Sequence, residues 1–189
     1  MVYHLFMKTI GTTLIIVDMQ FDFLEGGALA VEGATLEMAQ KIDRLSTLFD
    51  QIILTAEDHP ADHISFETSV PHCIQNTKGA KLAITCRGTV LYKGRSREWE
   101  EFSAFAQGRR INLIEGNDVY VCGIAGDYCV KDTIDDILNY APEKRVYAII
   151  DMIRSTDGSS YIDHDPFSGK VRFVTSEQVQ KRIAFRQEE

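Results

Sequence analysis

Six short apolar runs, separated by stretches of helical periodicity, constrain this 189-residue chain more than any other feature. The runs are Thr13 to Val17, Gln51 to Thr55, Val90 to Tyr92, Val119 to Cys122, Val146 to Ile150 and Val171 to Val174. Between them, Leu36 to Phe49 places Met38, Ile42, Leu45 and Phe49 at helical spacing, and Tyr128 to Tyr140 does the same with Val130, Ile134, Ile137 and Leu138. Ser176 is expected to cap a last helix through Phe185. Strands that alternate with helices are joined by crossovers and therefore run parallel. Runs that are apolar throughout belong to strands covered on both faces. The expected fold class is α/β: a three-layer α/β/α sandwich around a six-stranded, mostly parallel sheet. Residues 1–189 read as a single domain, without repeat or linker. Two segments carry no periodicity, the histidine-bearing Asp58 to Lys81 and the Gly/Ser/Asp-rich Ser155 to Lys170.

Charge and length narrow the partners. A formal net charge of −8 with no basic stripe argues against nucleic acid. No apolar run approaches the roughly 20 residues needed to cross a bilayer. The N-terminus, with Lys8 and short apolar pieces, lacks the pattern of a signal peptide. Met7 is an alternative start that would make Met1 to Phe6 an extension. Four cysteines without a CxxC pair or a disulfide pattern fit a reducing cytoplasm, where thiols stay available for chemistry.

One of those cysteines stands where chemistry is expected. In Val119-Tyr-Val-Cys-Gly-Ile-Ala-Gly-Asp-Tyr-Cys129, an apolar strand stops at a small-residue turn and a helix begins. Asp127 is the expected N-cap, which puts Cys129 in the first helical turn. Unpaired N–H groups and the helix dipole there are expected to lower the thiol pKa, and the same N–H groups can hold an oxyanion. Ligands in such sheets bind beyond the carboxyl ends of the strands. Asp18 ends the first strand, Glu57 and His59 follow the second, Lys93 follows the third and Cys129 the fourth. A carboxylate, an ammonium and a thiol meeting on that edge can activate a nucleophile and return its proton to a leaving amine.

The segment Glu57-Asp58-His59-Pro60-Ala61-Asp62-His63, followed by His72-Cys73, offers a second centre. Glu57 and His59 lie two apart and point to one side of an extended chain. A carboxylate with two or three imidazoles suits a divalent ion such as zinc, iron or manganese. Spacing alone does not choose between Cys73 and His63 as a further ligand.

The segments LIIVDMQFDFLEGGALAV, HPADHISF, HCIQNTKGA, YKG, SAF and GIAGDYCV, in this order, resemble the nicotinamidase/pyrazinamidase branch of the isochorismatase-like cysteine hydrolases. The resemblance runs from about Thr13 to Thr156 and implies a six-stranded parallel sheet with helices on both faces. It implies Asp18, Lys93 and Cys129 as a catalytic triad, and the N–H groups of Ala125 and Cys129 as the oxyanion hole beside a cis Ile124–Ala125 peptide. Phe23 matches a pocket aromatic, with Leu29 and Val31 as apolar walls. His59 and His72 match metal ligands, and His63 matches a position that binds metal in some members. Three positions depart from the pattern. Glu57 stands where aspartate is usual, with Asp58 as the alternative carboxylate. Ser69 and Val70 replace a Trp-Pro pair, and the loop Ser155 to Lys170 replaces a helix, where it could reshape an oligomer interface or the pocket rim. The expected function is a cysteine amidohydrolase acting on nicotinamide, with one divalent metal ion and homo-oligomeric assembly. The alternatives are a related amidase for another small carboxamide or carbamoyl substrate, a vinyl-ether hydrolase, or a catalytically silent binding protein.

Overall fold

The computed structural model describes residues 11–187; Lys8, the alternative start at Met7 and the extension Met1 to Phe6 lie outside them. Its strands are β1 (Thr12–Val17), β2 (Gln51–Glu57), β3 (Thr89–Lys93), β4 (Asp118–Ile124), β5 (Arg145–Arg154) and β6 (Arg172–Val174). They form one sheet in the order β3-β2-β1-β4-β5-β6, with every neighbouring pair parallel. The helices are α1 (Leu36–Ser46), α2 (Cys129–Tyr140) and α3 (Ser176–Gln187). Consecutive residues of β1, from Leu14 to Val17, are all fully buried. Because neighbours on a strand point to opposite faces, the sheet is covered on both sides.

The chain winds outward from β1 through β2 to β3, then crosses back to place β4 on the other side of β1. The strand order therefore reverses between β1 and β4, the switch point where a crevice opens at the carboxyl ends. Gly123 lets the two strands close there: its φ is +119°, and a Cβ would lie 2.1 Å from the Val17 carbonyl oxygen. No side chain fits that approach.

Two expected caps are different residues. The N-cap of α2 is Tyr128, without a side-chain hydrogen bond, rather than Asp127. Asp127 instead accepts from the backbone N–H and the hydroxyl of Thr156, so its carboxylate serves the loop after β5. At α3, Ser176 is the first helical residue. Thr175 accepts from the Gln178 N–H while Gln178 accepts from the Thr175 N–H, a reciprocal capping box. α1 stops at Ser46, short of Phe49, whose ring still packs edge-on against Tyr120 at 5.2 Å between centroids.

The segment 155–170 is polar by composition yet anchored by aromatics. Tyr161 and Phe167 are buried and meet edge-to-face at 5.1 Å, and the Tyr161 hydroxyl donates to the Gly126 carbonyl. Among the described residues, no helix is long and apolar enough to cross a membrane.

Candidate active site

The crevice at the switch point begins with Asp18, directly after β1. Its backbone is left-handed (φ 49°), a conformation aspartate tolerates better than most residues. The Asp18 N–H donates to the Thr55 carbonyl at 3.2 Å, and the Thr55 hydroxyl donates to Asp18 Oδ1 at 2.7 Å. Asp18 Oδ2 lies 2.8 Å from Lys93 Nζ. Lys93 ends β3, two strands away, so its four-carbon stem spans β2 to reach this point. The ammonium is buried and also sits 2.9 Å from Glu57 Oε1 and 3.4 Å from Cys129 Sγ. Cys129 opens α2, where backbone N–H groups have no partner within the helix. Its thiol lies 3.6 Å from Glu57 Oε1. The Ile124–Ala125 peptide just before it is cis.

Burial pushes the Asp18 carboxyl above its ordinary range; Lys93 pulls it back and the charge of Glu57 adds to the rise. Burial works against the Lys93 ammonium, yet the neighbouring Asp18, Cys129 and Glu57 side chains hold its pKa well above the usual value. For Cys129 the expectation from helix and lysine is reversed. Burial drives the thiol pKa well up, Lys93 opposes this, and the carboxylates of Asp18 and Glu57 reinforce it. A third negative charge in this pocket is unfavourable. Burial therefore favours the protonated thiol, and a base whose own pKa is raised is within reach: oxygen or sulfur atoms of Asp18, Glu57 and Cys129 all lie within 4.8 Å of one another.

Glu57 joins this cluster to the histidines. Its Oε2 is 3.1 Å from His59 Nε2 and 3.1 Å from His72 Nε2. His59 Nδ1 donates to the Gly94 carbonyl and His72 Nδ1 to the Val70 carbonyl, each at 2.8 Å. Carbonyls only accept, so both rings keep a proton on Nδ1 and turn Nε2 toward Glu57, donating to the carboxylate when that nitrogen is protonated and presenting a lone pair to a metal ion when it is not. Two such nitrogens converging on a carboxylate oxygen fit a divalent cation. The Glu57 pKa is held well below its ordinary value: burial works against this, but Lys93 and the hydrogen bonds to His59 and His72 prevail. His63 is oriented the other way, its Nδ1 accepting from the Ser65 N–H at 3.2 Å, while its buried Nε2 has no hydrogen-bond partner. Asp58, the alternative carboxylate, faces away and pairs with Arg95 at 2.8 Å. Cys73 is buried outside the histidine cluster, its N–H donating to Asp22. Gly94 matters for the ring of His59: with φ +67°, a Cβ there would lie 2.4 Å from His59 Cε1.

A cavity of about 770 Å³ opens over Cys129 and Ala125, with Phe23, Leu29 and Val31 in its wall. Glu57 and His72 reach it as well, and the Phe23 and His72 rings lie 5.6 Å apart. Ser69 also lines it, as expected for the position that departs from the family pattern. Several further residues were not legible as site residues. Phe102 and Tyr128 crowd the mouth as exposed aromatics, beside Trp99, the single tryptophan that the sequence offers as a cover for the substrate ring. Gln20 holds Glu57 from both sides, its Oε1 accepting from the Glu57 N–H and its Nε2 donating to the Glu57 carbonyl, each at 2.8 Å. Thr55 positions Asp18 from inside β2.

The strand order and the cluster at its switch point define the class, a three-layer α/β/α protein with a cysteine, a carboxylate and an ammonium at the carboxyl edge of its parallel sheet. Residues 12–151 match the Isochorismatase domain model, and the chain belongs to that family. It is 32% identical to the nicotinamidase of Acinetobacter baylyi, over 80% of this chain and 85% of the relative. With the nicotinamidase of Escherichia coli the identity is 34%, over 66% of this chain and 75% of that one. The crystal structure of a zinc complex of the pyrazinamidase of Pyrococcus horikoshii superposes with a TM-score of 0.75 at 29% identity, covering 87% of this chain and 98% of that one.

Proposed function

We propose that this chain hydrolyses nicotinamide to nicotinate and ammonia through a thioester on Cys129. The observation that carries the reading is the Lys93 ammonium, held at once by Asp18 and Cys129 beneath an apolar-walled cavity. With the carboxamide in that cavity, the Cys129 thiol proton passes to Asp18 as Sγ attacks the carbonyl carbon. Net charge in the buried cluster is unchanged by that transfer, which is what a pocket hostile to a third anion requires. The N–H groups of Ala125 and Cys129 take the oxyanion. The C–N bond breaks, and ammonia leaves with the proton from Asp18. Asp18 then accepts a proton from water as its oxygen attacks the thioester; nicotinate departs and Sγ recovers the proton.

Glu57, His59 and His72 would hold a divalent ion (zinc, iron or manganese), and when bound it supplies a Lewis-acid anchor for the substrate's ring nitrogen. The orientation of His63 suits a hydrogen bond to a water on that ion. Such an enzyme returns the pyridine ring to NAD synthesis in the cytoplasm, which the four unpaired cysteines support. Assembly into a homo-oligomer is part of the same reading, checked by light scattering.

Ser69 in the cavity wall favours a second reading, an amidase for another small carboxamide or carbamoyl substrate. Ammonia release from nicotinamide, pyrazinamide, an aliphatic amide and an N-carbamoyl amino acid separates the two. Turnover of the two aromatic amides, lost in Cys129→Ala, is the expected result. Turnover confined to the aliphatic or carbamoyl compounds replaces the first reading with the second.

A further inference from the structure

We propose that Glu100, on the loop after β3, is a second carboxylate of the metal centre. The inference rests on the reading of Glu57, His59 and His72 as metal ligands. His59, His63 and Glu100 each present a nitrogen or carboxylate oxygen within 4.8 Å of the others. His63 is buried, with no acceptor or donor among the described residues in full hydrogen-bond geometry to its Nε2, and it falls in the trio with Glu100 rather than in the one with Glu57. The charge of Glu100 is felt at both His63 and His72.

Charge balance explains why a second carboxylate belongs here. Glu57 is shared, one oxygen on Lys93 and the other on the histidines. A divalent ion among neutral imidazoles, with a carboxylate already neutralising an ammonium, would leave excess positive charge in a buried site. Glu100 is free to offset it. The cations of its own loop are engaged elsewhere, Arg95 with Asp58 and Arg97 with Asp62. Among the described residues Glu100 forms no ion pair with lysine or arginine; its Oε1 accepts from the Glu101 N–H. The loop is tied down on both sides of it. The Gly94 N–H donates to Glu101, and the Ile64 N–H donates to the Arg97 carbonyl.

The test is metal binding, measured apart from catalysis. Full-length protein is stripped with a chelator and titrated with zinc against a chromophoric competitor, and the visible spectrum of the cobalt-substituted form is recorded. Glu100→Gln keeps the size and the bond to Glu101. It should weaken zinc binding about 10- to 100-fold and alter the cobalt bands, with the thermal midpoint of the stripped protein unchanged. Glu98→Gln, exposed on the same loop, should bind as wild type does. Wild-type affinity and an unchanged cobalt spectrum in Glu100→Gln would overturn the inference while leaving the Glu57 ligand set standing. An equal loss in Glu98→Gln would also overturn it, reducing the effect to general charge. A wild-type protein that takes up no zinc or cobalt sinks the ligand set and the inference together.

Discussion

Glu57 and Lys93 are register partners across β2 and β3, and their side chains meet at 2.9 Å where both strands end. The pair couples two centres, because Lys93 also holds Asp18 and Cys129 while Glu57 also holds His59 and His72. Glu57→Gln should therefore damage both. Metal affinity should fall at least 10-fold, and stability by up to about 3 kcal/mol as a buried ammonium loses a partner. Competitive zinc titration and urea unfolding of the stripped protein read the two effects separately.

Cys129 should be the first thiol to react. Cys73 and Cys122 are fully buried, and burial pushes both thiols far above their ordinary pKa. Cys86 is half-buried and raised by burial, and the Asp43 carboxylate beside it raises it further, with no ammonium like Lys93 among the described residues acting on it to favour a thiolate. Limited iodoacetamide treatment at neutral pH followed by peptide mapping should find Cys129 labelled ahead of the rest. Asp18→Asn should slow that labelling and leave Cys86 unaffected. Turnover in the same variant should drop about 100- to 10,000-fold, the usual contribution of a positioned general base.

Ionisation of Asp18 should shape the acid side of the pH profile. Asp18 must be deprotonated to accept the thiol proton, so kcat/KM rises as pH climbs through its pKa. Burial raises that pKa, which puts the limb above the ordinary aspartate value of about 4. The Thr55 hydroxyl bonds the charged form and opposes the shift. Thr55→Val should move the acid limb to still higher pH. A limb that stays in place or moves down would separate Asp18 from the proton transfer.

The aromatic lost at Ser69 has a candidate replacement in Trp99, 56% exposed at the cavity mouth. Removing a ring that stacks on substrate costs on the order of 1 kcal/mol, or about a fivefold to tenfold change in affinity. Trp99→Ala should raise KM for nicotinamide by that amount with kcat nearly unchanged, since the reacting groups are untouched. Ser69→Trp should lower KM in both the wild-type and the Trp99→Ala background.

The strand cores were legible because a strand covered on both faces must be apolar throughout, as Leu14 to Val17 are. Strand ends were less so: β5 continues to Arg154 through Asp151, whose carboxylate accepts from the Ser176 N–H and so answers to a tertiary contact. The same competition moved the α2 cap, since Asp127 had a better partner in Thr156. Asp18, Glu57, His59, Lys93 and Cys129 could be found because each stands at or just after a strand's carboxyl end. The direction of the Cys129 pKa could not, because sequence names the neighbouring charges but not the depth at which they lie. Gln20 and Thr55 act through bonds to residues 37 positions away, and Glu100 belongs to no motif that sets it apart from its neighbours Glu98 and Glu101.

The groups proposed to break the bond stand on strand ends and a helix start, whereas much of the cavity mouth, Tyr128 apart, is drawn from two surface loops, 64–69 and 95–102. Surface loops tolerate exchange far better than the framework beneath them. The reaction and the choice of amide are thereby physically separable. A laboratory graft of either loop could retune which molecule enters while the proton transfer proposed between Asp18 and Cys129 runs on unaltered.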